Sequence, residues 1–267
     1  MKKFSIITFG LIALAALFTG SCKKDDNGND NTSPAGKLQF TFQHYVDGNP
    51  VIYDSLMYVN AAGNHYLVYE VQYFVTDVVL YKHGGGTKTI DDWTDYHYVD
   101  SNIPNSLKWD VYDSIDPGDY DSLAFHFGFS IDKNKSFMFV NPPESNMVWP
   151  EYLGGGYHYM KLNGKWLDTN NVRRGFAFHL GIGQHYDSTG AVVPPFIDNS
   201  FRVSLPGSSF SVSDGKTTKI TIRMNIEQWF KDPVVYDHNK WGGDIMQKQP
   251  AMATAVKNGH NVFEFVK

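Results

Sequence analysis

The chain has 267 residues, a formal net charge of −5 and one cysteine, Cys22. A lone cysteine leaves no disulfide framework within the chain, and no block of basic residues is present to hold nucleic acid. Aromatic residues make up 15%, with 16 Tyr and 19 Phe, a composition suited to pleated, half-buried surfaces.

Residues 1–21 read as a secretory signal: Lys2 and Lys3, an apolar run from Phe4 to Phe18, then Thr19, Gly20 and Ser21 before Cys22. The run is short for a bilayer-spanning helix, which needs about 20 apolar residues. Small residues before a cysteine predict lipidation at Cys22 and an outer-membrane lipoprotein, on the periplasmic face or at the cell surface. A free or disulfide-bonded Cys22 is the alternative. Removing the signal takes away Lys2 and Lys3 and no acid, so −5 becomes −7 for the mature form. Residues 22–36 are polar and Gly/Asn-rich, a flexible tether from the membrane, and Lys23-Lys24-Asp25-Asp26 also suits a surface-export signal. Residues 37–267 then form one domain.

Leu38 to Phe42 alternates apolar with polar residues, as a strand with one wet face does. Val68 to Tyr81 is a longer β-branched and aromatic run. Asp116-Pro117-Gly118-Asp119 is a turn, and Leu123 to Phe129 alternates again with His126 on the opposite face. The alternation predicts Phe40, Phe42, Leu123, Phe125 and Phe127 in the core. Tyr157–Leu162, Gly175–Gly181 and Lys219–Ile226 are further strands. Helical patterns come late, as a turn or two at Ile226–Lys231 and a helix over Asp244–Lys257 that Pro250 should kink or delay. Many short strands without a βαβ rhythm predict an all-β, antiparallel, Greek-key-like sandwich with one or two short C-terminal helices.

Chemistry concentrates between Met147 and Gln184. Gly154-Gly155-Gly156 lacks the Lys-Ser/Thr of a phosphate loop and opens a strand. The midpoint of residues 158 and 179 is 168.5, inside the polar stretch Leu167-Asp168-Thr169-Asn170. A symmetric hairpin turning there sets His158 directly opposite His179, with Cβ atoms about 4.5–5.5 Å apart. Two neutral imidazoles at that spacing can share a copper or zinc ion, whereas a histidine in a strand can equally be structural. Loss of binding is expected as the pH falls through the ordinary histidine range, around 6.5.

Four segments resemble the MbnP-like proteins associated with the copper-chelating peptide methanobactin, which have lipoprotein relatives in Bacteroidetes. They are Val71 to Leu80; Tyr96-His97-Tyr98-Val99-Asp100; Pro117-Gly118-Asp119-Tyr120 with Phe125 to Asn134; and Met147-Val148-Trp149 with Gly156-Tyr157 and His179-Leu180-Gly181. The resemblance implies a β-sandwich that binds copper through histidines. It also implies a tryptophan oxidised to kynurenine by a partner dihaem peroxidase, the product becoming a further ligand. Trp149 matches a family tryptophan and His179 the family's His-Leu-Gly histidine; two imidazoles need a third ligand, for which oxidised Trp149, His97 or a water are the candidates, in that order. The chain departs from the family at Glu151, where a second tryptophan is usual, at Lys135, where a histidine is usual, and after Gly181, where the disulfide cysteines are missing.

The leading expectation is therefore an extracytoplasmic copper protein for acquisition or storage. A surface module for a sugar or protein ligand is the second, with Trp93, Trp109, Trp166, Trp229 and Trp241 as candidate platforms. No nucleophile and base can be paired from the sequence, so an enzyme is not expected.

Overall fold

A computed structural model describes residues 34–266; the leader, Cys22 and most of the tether lie outside the described residues. No helix among the described residues is long and apolar enough to cross a membrane. The architecture is a two-sheet β-sandwich.

The smaller sheet is built on β1 (Lys37–Val46). Leu38, Phe40, Phe42 and Val46 point inward, and Gln39, Thr41 and Gln43 alternate with them on the wetter face. The larger sheet is organised by β2 (His65–Lys82), an 18-residue strand. On one side β2 pairs with β3 (Tyr96–Asp100), matching Gln72 to Asp100 and Val75 to His97. On the other side it pairs successively with β4 (Gly118–Phe127) and β5 (Met160–Leu167). Beyond β5 lies β6 (Arg173–Leu180), and beyond β4 lies β7 (Phe201–Leu205). The smaller sheet is completed by β8 (Thr217–Asn225) and β9 (Phe263–Val266).

The sheets meet through aromatic edges: Phe42 lies 6.3 Å from Tyr73 and Phe125 5.2 Å from Phe263, ring centre to ring centre. Phe40, Phe42, Leu123, Phe125 and Phe127 are all buried, as the alternation predicts. Burying each contributes about 1.5–3 kcal/mol.

Two local features differ from the expectation. β1 and β8 pair in parallel, Lys37 with Thr217 through Tyr45 with Asn225, within an otherwise antiparallel sandwich. The C-terminal helices are α1 (His238–Trp241) and α2 (Gln249–Asn258). Pro250 sits in the first turn of α2, where a missing N–H costs nothing, so the helix starts there and not at Asp244.

The continuous apolar run of β2 has a structural cause. Its Val71, Tyr73 and Val75 face the smaller sheet, while Phe74 on the other face is equally buried, against Tyr98, Phe129 and Phe139. Residues 128–159 leave the sheet and fold back over this outer face, so β2 is covered on both sides. That excursion carries Trp149 and His158.

Candidate metal centre

Met147–Trp149 and Gly156–His158 run antiparallel. The Trp149 N–H donates to the Gly156 carbonyl at 2.8 Å and the His158 N–H to the Met147 carbonyl at 2.7 Å. Gly154, Gly155 and Gly156 between them all have positive φ, so the triple glycine makes a tight return. A Cβ on Gly156 would also lie 2.5 Å from the Asn134 side chain. The Tyr159 N–H donates to the Leu180 carbonyl at 2.7 Å, tying this return to β6. Trp149 is fully buried and rests where Gly181 has no side chain: a Cβ there would lie 2.5 Å from Trp149 Cε3.

His158 and His179 do not face each other in register. His179 is paired with Lys161, because Leu167 pairs with Arg173 and the hairpin turns about Asn170. Asp168 sets that longer turn: its Oδ1 accepts from the N–H groups of Asn170 and Val172, and Asn171 is left-handed at φ 60°. In regular strands a three-residue offset would put the two histidines on opposite faces. The ladder stops at Met160 and the chain bends at Tyr159, and the rings come together nonetheless. The His158 and His179 ring centres are 5.0 Å apart with planes at 83°, and Trp149 lies 4.7 Å from His158 at 75°.

Hydrogen bonds assign one bare nitrogen to each ring. His158 Nδ1–H donates to the Met147 carbonyl at 2.9 Å, which leaves Nε2 as a lone pair. His179 Nε2–H donates to Asn163 Oδ1 at 2.8 Å, which leaves Nδ1. Asn163 is itself oriented by Glu70, whose Oε2 accepts from Asn163 Nδ2 at 2.7 Å. Both bare nitrogens, His158 Nε2 and His179 Nδ1, are buried without a partner. A buried polar atom normally has one, so these two orphans on touching rings are what a metal ion would satisfy. Burial, and then the neighbouring His179 and Lys161, hold the His158 pKa well below its usual range; burial and then Lys161 push His179 down to about 4. Both rings are therefore neutral imidazoles at neutral pH.

His97 does not join them. It sits on the inner face of the larger sheet, stacked on Trp109 at 5.1 Å and Phe42 at 5.4 Å, with Nε2–H donating to the Ser106 carbonyl at 2.7 Å. β3 pairs His97 with inward-facing Val75, whereas His179 and Asn163 lie on the outer face, so strand parity separates them. Asn163 and Glu70 were not anticipated, although Glu70 is the only charge in the run Val68–Val75 and so carried a signal. Elsewhere, Asp91, Asp92 and Asp113 bring three ligand oxygens together, with Lys88 Nζ 2.6 Å from Asp113 and 3.7 Å from Asp92. Trp109, Trp166 and Trp229 are buried, so most of the aromatic surplus is core.

A sandwich bearing a buried histidine pair and a tryptophan beneath a folded-back excursion defines the class, and the family follows from comparison. The MbnP family model matches residues 35–247, and the chain belongs to that family. The fold is similar to the solved structure of MbnP from Methylosinus trichosporium, with a TM-score of 0.56 at 14% identity, covering 86% of this chain and 97% of that one. No curated protein matches the sequence.

Proposed function

We propose that this MbnP-family chain is an exported, lipid-anchored binding protein that takes up one copper ion through His158 Nε2 and His179 Nδ1, for acquisition or storage. The observation carrying this reading is the pair of partnerless buried nitrogens on rings 5.0 Å apart. Imidazole suits copper and zinc alike, but structural zinc takes four protein ligands. Among the described residues no third His, Cys, Asp or Glu ligand atom groups with this pair, which favours copper. Asn163 and the Met147 carbonyl support the site by holding each ring in the tautomer that presents its bare nitrogen. The apolar segment before Cys22 supports anchoring in the outer membrane.

The test is metal analysis with intact mass on protein purified from host membranes. About one copper per chain is expected, lost in the His158→Ala/His179→Ala double variant with the melting curve retained, and an acyl mass on Cys22. The same spectrum reports any oxidation of Trp149. Equal copper in wild type and double variant would remove the proposal.

A further inference from the structure

Trp93 and Tyr112 are 77% and 66% exposed, yet they stack on each other, ring centres 5.6 Å apart and planes at 33°. They come from separate loops, one before β3 and one before β4. Two large aromatics held together in water leave apolar area exposed, and such a patch marks a binding surface. Beside them opens a cleft of about 330 Å³, lined also by Tyr96, His97, Trp109 and Glu144. Small-ligand pockets begin at about 300 Å³, so the cleft suits one or two small rings.

Its polar groups combine hydroxyls that can donate or accept, on Thr94, Tyr96 and Tyr112, with two groups that only accept. His97 gives its Nε2–H to the Ser106 carbonyl and so keeps a lone pair on Nδ1. Glu144, in the short 3-10 turn Glu144–Met147, adds a carboxylate. Outside the cleft, Lys88 holds Asp92 and Asp113 and Lys133 holds Asp95, while Glu144 is the one charged residue lining the cleft itself. A single carboxylate among otherwise uncharged lining groups suits an uncharged, hydroxylated ligand.

We infer that this cleft binds a neutral pyranose sugar, one apolar ring face laid on the Trp93–Tyr112 pair and hydroxyl groups donated to Glu144 and His97 Nδ1. A pyranose offers what these residues receive, a flat C–H face for aromatic rings and hydroxyl donors at its edge. The cleft shares no lining residue with the histidine pair and does not depend on copper binding.

The experiment is a neutral-glycan array probed with the full-length protein in detergent, followed by tryptophan-fluorescence titration of the sugars retained. Trp93→Ala and Tyr112→Ala are each expected to weaken binding by about tenfold, the upper end for one aromatic contact. Glu144→Gln, which keeps the side-chain shape, is expected to weaken it as well. Melting temperature and copper content stay at the wild-type values in all three variants. Retention of no neutral glycan, equal binding by wild type and the Trp93→Ala/Tyr112→Ala double variant, or binding of choline in place of sugars would each overturn the inference.

Discussion

At the scale of single residues, burial governs the histidine pair. A metal ligand must be an unprotonated imidazole, and protons compete once the pH approaches the ligand's own pKa. In the exposed state that would occur around 6.5. The folded protein holds His179 down to about 4 and burial holds His158 well below its usual range, so the competition moves with them. Copper is therefore expected to stay bound through pH 6 and to be released near pH 4, read as bound metal across a pH series; a release midpoint at 6.5 would contradict the buried geometry. The expectation of loss around 6.5, drawn from the ordinary histidine range, is corrected by the desolvation that only the fold supplies. Asn163 acts one shell further out. Asn163→Leu removes the acceptor for His179 Nε2–H while keeping similar bulk, and should lower copper affinity by about 10–100-fold. Unchanged affinity would mean that Met147 and the packing alone orient the pair.

Among the elements, the hairpin β5–β6 shows how far periodicity reaches. Alternation located both strands, but register depends on the turn, and Asp168 enlarges that turn by hydrogen bonds a face pattern does not record. The outer-face excursion has a similar dependence on close approach. Gly181 leaves the space that Trp149 fills, so Gly181→Ala would press a methyl into a side chain with no room to retreat. Such overpacking typically costs about 1–3 kcal/mol. The expected result is a lower denaturation midpoint together with altered emission from Trp149, measured against a Trp149→Phe background. A variant as stable as the wild type would show that the excursion is looser than its contacts indicate.

For the whole molecule, acid is the exposed flank. His44, His158 and His238 are all buried, with His44 lowered to about 4, His238 to about 3 and His158 well below its usual value, burial being the first cause in each. The unfolded chain binds these protons from about pH 6.5 downward, whereas the folded chain resists them to about 4 at His44 and about 3 at His238, with His158 shifted in the same direction. Stability is therefore complete above 6.5 and falls as the pH drops toward 4, by about 1.4 kcal/mol per pH unit for each such histidine. Against a typical domain stability of about 5–15 kcal/mol, such losses are large. Urea unfolding of metal-free protein should thus show its midpoint falling steeply between pH 6.5 and 5; a flat profile would refute the linkage. What the sequence determined by itself was whatever is written locally along the chain: the two-residue alternation of Phe40, Phe42, Leu123, Phe125 and Phe127, a short late helix delayed by Pro250, and the ordered segments that mark the family. The tertiary structure alone decided the parallel pairing of β1 with β8, the face on which His97 lies, and the meeting of His158 with His179 across a slipped register. Those outcomes rest on turn hydrogen bonds, strand parity and a glycine's missing side chain, which act between residues far apart in the chain and leave no periodic trace in it.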